Sequence, residues 1–95
     1  MNKETLSKKE QLFMYLIGTF QSSAWIALGK IENPMTKKKH VNIDQASFYI
    51  DLLGLIKEKM KENLTDYEEQ ILINTVSELK LDLIDEKKKD NKKKD

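Results

Sequence analysis

The side chains best equipped for chemistry fall in four places. His40, the only histidine, follows directly on Lys37, Lys38 and Lys39. Asp44, Asp51 and Glu58 recur every seven residues, with Glu62 close behind. Ser22 and Ser23 are adjacent, and six lysines crowd residues 87–94. Each set points to a chemistry and lacks a requirement for it. A zinc site needs three or four Cys, His or carboxylate ligands, and this chain has no Cys and no second His. His40 therefore reads as a solvated loop residue. Carboxylates seven apart on a helix lie about 10 Å from one another, too far to share one hard cation, so that acidic row reads as a solvent face. The serines have no nearby base to activate them. Gly18, Gly29 and Gly54 are isolated and form no phosphate loop. The expectation is no catalytic residue, no cofactor, no metal and no enzyme.

The basic segments invite a different chemistry. Lys37, Lys38, Lys39 and His40 could touch phosphates, and the lysines of the tail could add salt-sensitive attraction. Three features weigh against it. Every one of the 17 basic residues is Lys, so bidentate Arg recognition of guanine or phosphate is missing. No aromatic residue lies in either segment to stack a base. The 16 acidic residues bring the formal net charge to only +1, which creates no global field for polyanions.

Three helices are needed to position these groups. Ser7 with Glu10 forms a capping box, and Gly29 stands where a helix would end in a left-handed residue, predicting a first helix from Lys8 to Leu28. Asn42 with Gln45 opens a second helix running to about Glu62, and Thr65 with Glu68 opens a third. On the second, Ile43, Ala46, Tyr49, Ile50, Leu53, Ile56 and Met60 mark the buried stripe. On the third, Leu72, Val76, Leu79 and Leu83 follow the 4-3-4 spacing of a packed seam. The tight turn between them predicts an antiparallel hairpin. The longer connection Lys30 to Asn42 turns at Asn33-Pro34. Beyond Glu86 the Lys-rich sequence has nothing to bury and is expected to be disordered.

The first helix is unusual in carrying no charge from Gln11 to Gly29. At 100° per residue, Leu12, Phe13, Leu16, Ile17, Phe20, Ala24, Ala27 and Leu28 form one wide stripe, expected to be the core. Met14, Tyr15, Gly18, Ser22, Trp25 and Ile26 occupy the other side, and Phe48 and Leu55 lie off the stripe of the second helix. A small domain cannot cover a helix that is apolar nearly all round. These eight residues are therefore expected to form an interface with another copy. A membrane span is disfavoured by Gln11, Thr19, Gln21, Ser22 and Ser23 within the apolar window. A cleaved secretion signal is disfavoured by Glu4 and Glu10 and by the loss of a core helix.

The strings Ile31-Glu32-Asn33-Pro34-Met35-Thr36, Val41-Asn42-Ile43-Asp44-Gln45-Ala46, Ile50-Asp51-Leu52-Leu53 and Asn63-Leu64-Thr65 with Glu68-Glu69 resemble a small bacterial helical family, domain of unknown function number eighteen-forty-four. The resemblance spans about Leu12 to Ile84. Departures are Glu32 where the pattern often has Pro, Lys37 where it often has Gly, and Glu62 where Gly often precedes the Asn-Leu-Thr turn. The resemblance implies a compact all-helical bacterial protein of the cytoplasm, and it carries no activity.

The combined expectation is an all-α domain over residues 8–85, with an N-terminal arm over 1–7 and a disordered tail over 86–95. Its long first helix packs on an antiparallel hairpin and homo-oligomerisation completes the core. The expected function is a noncatalytic self-associating scaffold or adaptor, with Asn33, Pro34, Thr36, Lys37, Lys38, Lys39 and His40 as a loop for a protein partner. The alternative is a nucleic-acid-associated accessory protein using Lys37 to His40 and the tail.

Overall fold

The computed structural model describes residues 6–94, with side chains described as far as Lys89. Most of the expected N-terminal arm, residues 1–5, lies outside that range. Three helices pack against one another: α1 Lys8–Ala27, α2 Ile43–Lys59 and α3 Asp66–Lys94, with a one-turn 3-10 helix Lys61–Asn63 before α3. No strand occurs among the described residues, only two isolated β-bridges.

The helix starts are those the capping residues dictate. Ser7 and Glu10 exchange both bonds of a capping box, at 3.1 Å each. Thr65 and Glu68 do the same at 2.9 and 3.1 Å, with Glu68 buried by the turn it closes. Asn42 Oδ1 accepts from the Gln45 backbone N–H at 3.1 Å. Each leaves fewer unsatisfied N–H groups at a helix mouth, worth about 1 kcal/mol per cap.

The end of α1 is equally determined. Lys30 N–H bonds the Trp25 carbonyl at 2.9 Å and Gly29 N–H bonds that of Ile26 at 3.1 Å, the pair of bonds of a Schellman motif. Gly29 takes φ +74°, and a Cβ there would stand 2.8 Å from Val41 Cγ2. The chain then returns: Leu28 and Val41 form a bridge, and Asn42 N–H bonds the Ala27 carbonyl at 2.7 Å. The end of α1 thus meets the start of α2, which folds back along it. Lys30 also reaches Asp82 of α3 at 3.7 Å.

The core is Phe13, Ile17, Ala24, Ala27 and Leu28 from α1 and its cap, Ala46, Ile50 and Leu53 from α2, and Leu72, Val76, Leu79 and Leu83 from α3. The predicted stripes of α2 and α3 are the ones that pack. On α1 the stripe is displaced. Leu12 and Leu16, expected in the core, are 59% and 41% exposed, whereas Met14 and Trp25, expected on the free side, pack against the core. From Gln11 onward α1 carries no charge to mark where burial stops, so its sequence leaves the facing angle undetermined by tens of degrees. The neighbours decide it.

A second correction concerns the tail. Residues 87–94, expected to be disordered, continue α3, and Lys89 pairs with Glu86 at 3.2 Å. Lack of anything to bury removes packing, not helix propensity. Lys and Glu are good helix formers and neither Gly nor Pro interrupts the run.

Candidate interaction surfaces

Turning α1 until Phe13, Ile17 and Ala24 face the core leaves Leu12, Tyr15, Leu16, Thr19 and Ser22 exposed on the outer side, with Ser23 and Ile26 half-buried along the same row. Tyr15 is 78% exposed. These positions run along the helix at alternating three- and four-residue steps with no charged side chain among them. Thr19, mid-row, donates its hydroxyl to the Tyr15 carbonyl at 2.9 Å, so its polar atom is satisfied inside α1 and its methyl is left for contact. An added Cβ at Gly18 would meet nothing within 4 Å among the described residues. On α2, Phe48 and Leu55 are also exposed, and Phe48 packs its ring edge-to-face on Tyr49 at 5.6 Å between centroids.

Of the eight expected interface residues, Tyr15, Ser22, Phe48 and Leu55 are exposed and Gly18 and Ile26 half-buried. Met14 and Trp25 are drawn inward. Leu12, Leu16 and Thr19 are exposed residues of the uncharged row that sequence reasoning left out. The signal for them was present in the spacing of Leu12, Leu16, Thr19, Ser23 and Ile26, but a second stripe of larger residues competed with it.

The second surface is the turn after α1. Asn33 N–H bonds the Lys38 carbonyl at 3.0 Å and Lys37 N–H bonds the Asn33 carbonyl at 2.7 Å, closing a four-residue tip. Asn33 Oδ1 accepts from Met35 N–H at 2.8 Å, and Thr36 Oγ1 from Lys38 N–H at 3.3 Å. The closure puts Lys37 at φ +62°, the one positive value at a non-glycine residue among those described. Pro34, Met35, Thr36, Lys37, Lys38, Lys39 and His40 are all exposed and Asn33 half-buried. Among the described residues none of the three lysines joins an ion pair.

The profile of a family described as Domain of unknown function (DUF1844) matches residues 10–85. The chain belongs to the DUF1844 family. No curated protein and no solved structure matches it. The DUF1844 region encloses both surfaces, the outer row of α1 and the turn, and it stops before the lysines of residues 87–94.

In this DUF1844 chain a cleft of about 420 Å³ also opens between α2 and α3. Lys57, Glu58, Lys61, Glu69, Val76 and Lys80 are among the residues that line it. Its charges come from two helices, so no local pattern announces it. Among the described residues no three His, Cys, Asp or Glu side chains gather in a way that would hold a metal ion. None of the described helices is long and apolar enough to cross a membrane.

Proposed function

We propose that this DUF1844 chain is a noncatalytic, cytoplasmic helical scaffold that works as an assembly of its own copies. One observation carries the reading: α1 presents to water a row of side chains with Leu12 59%, Tyr15 78% and Leu16 41% exposed and no charge anywhere along it. A solitary domain gains solubility by placing charge on such a face, whereas an apolar row in water is stabilised by a second surface at about 25 cal/mol per Å² covered. Phe48 and Leu55 add apolar area on α2. The test is sedimentation equilibrium of the full chain from 1 to about 100 µM, a range chosen to bracket an ordinary weak interface. Concentration-dependent mass is expected, returning to the single-chain 11.1 kDa with Leu16→Asp. A constant 11.1 kDa for the natural sequence overturns the reading.

A second reading, binding of nucleic-acid phosphates, is favoured by the turn. Lys37 holds a backbone conformation costing about 1 kcal/mol for a residue with a Cβ, and it does so in a turn whose three lysines make no ion pair among the described residues. Here a bound polyanion is expected to lose affinity with a log–log salt slope near −3 and to be released when Lys37, Lys38 and Lys39 become Ala. Absence of binding at low salt removes this reading.

A further inference from the structure

We infer that the second copy docks α1 on α1 in antiparallel orientation, about a two-fold axis passing beside Thr19. This deepens the self-association reading and rests on it. The order of sizes along the outer row carries the argument. Its N-terminal half is bulky, with Leu12, Tyr15 and Leu16, and its C-terminal half is small, with Ser22 and Ser23 before Ile26. Thr19 sits midway. Rotating a copy by 180° about Thr19 sets Leu16 opposite Ser22, Tyr15 opposite Ser23 and Leu12 opposite Ile26. Every large side chain then meets a small one or closes an end of the seam. A parallel pair would stack Tyr15 on Tyr15 and Leu16 on Leu16 while leaving the serines facing a gap, which close-packed interfaces do not tolerate.

Four more features fit a second copy in this orientation. Leu12, Tyr15 and Leu16, at their observed exposures, leave on the order of 400 Å² in water, and with the smaller residues a pair would bury roughly 1,200 Å², the lower edge of stable specific interfaces. The row contains no charge to desolvate, and Thr19 needs no new partner because its hydroxyl is already bonded. The Tyr15 phenol falls opposite the Ser23 hydroxyl, so it is not buried without a partner. The antiparallel arrangement also sets the two helix dipoles in opposite directions.

The natural absence of cysteine makes the test direct. Thr19→Cys, Leu12→Cys and Ile26→Cys are made singly in the full chain and oxidised mildly, folding being checked by circular dichroism. An antiparallel pair brings position 19 beside its own copy, and separates the two copies of position 12 by about 21 Å along the axis at 1.5 Å per residue. Thr19→Cys is therefore expected to form a disulfide dimer at least tenfold faster than Leu12→Cys alone. Leu12→Cys mixed with mass-tagged Ile26→Cys is expected to form the mixed dimer. Equal rates for Thr19→Cys and Leu12→Cys, or a dimer in sedimentation with no coupling through position 19, overturns this orientation while leaving self-association standing. A natural chain that stays single up to about 100 µM, a limit set by the ordinary range of weak interfaces, removes both. Thr19 and Leu12 are exposed, so their variants disturb no core contact.

Discussion

The outer faces of α1 and α3 both expose apolar side chains, but they differ in what stands between those side chains. On α3, Leu81 is 65% and Ile84 49% exposed, yet Lys80, Asp82 and Asp85 alternate with them. On α1, Leu12, Tyr15 and Leu16 are separated from one another only by further apolar residues, and Thr19, Ser22 and Ser23 continue the row without a charge. Exposure of a single Leu is ordinary on any surface. What distinguishes α1 is continuity: a partner can lie along it without stripping water from an ion. The informative quantity is the spacing of charges, not the number of exposed apolar groups.

Substitutions on and behind the two faces test this contrast. The largest effect is expected in the buried core, behind both faces. Leu53→Ala and Leu72→Ala remove fully buried side chains and are expected to cost about 2–5 kcal/mol each, read as a lower urea midpoint at every protein concentration. Next comes the contrast itself. Leu16→Asp places a charge in the uncharged row and is expected to weaken association by about 2 kcal/mol, whereas Leu81→Asp on α3 is expected to change it by less than about 0.5 kcal/mol, as for ordinary surface substitutions. Equal effects in sedimentation would erase the distinction between the faces. Gly29→Ala is expected to cost at least about 1 kcal/mol in thermal unfolding, because φ is +74° and Val41 Cγ2 lies 2.8 Å from the new Cβ. A smaller effect on stability than that of Gly29→Ala is expected at the turn. Lys37→Gly relieves the left-handed conformation and should raise stability by somewhat less than about 1 kcal/mol, since glycine also loses more freedom on folding.

Much of this fold was legible before any coordinates. The capping pairs Ser7 with Glu10 and Thr65 with Glu68 are short-range devices, and their geometry depends on neighbours three residues apart. The stripes of α2 and α3 were readable because charged residues bound them, Asp51 and Glu58 on one helix and Glu78 and Lys80 on the other. The same criterion failed on α1, where no charge marks an edge, and the facing of Leu12, Leu16, Met14 and Trp25 was set by tertiary packing instead. Residues 87–94 were misjudged because low hydrophobicity bears on packing while helix formation follows backbone preference. The cleft flanked by Lys57, Lys61 and Lys80 joins residues from two helices, and local spacing holds no record of it.

The return of the chain after α1 has a consequence for engineering. Asn42 N–H bonds the Ala27 carbonyl and Leu28 pairs with Val41, so the segment between them leaves and re-enters the bundle at nearly the same point. Its two ends are pinned independently of its length. Foreign sequence grafted at its tip, even enough to double the loop, would add only about 0.6 kcal/mol of closure entropy, making this end of the bundle a natural port for inserting a peptide tag or a reporter.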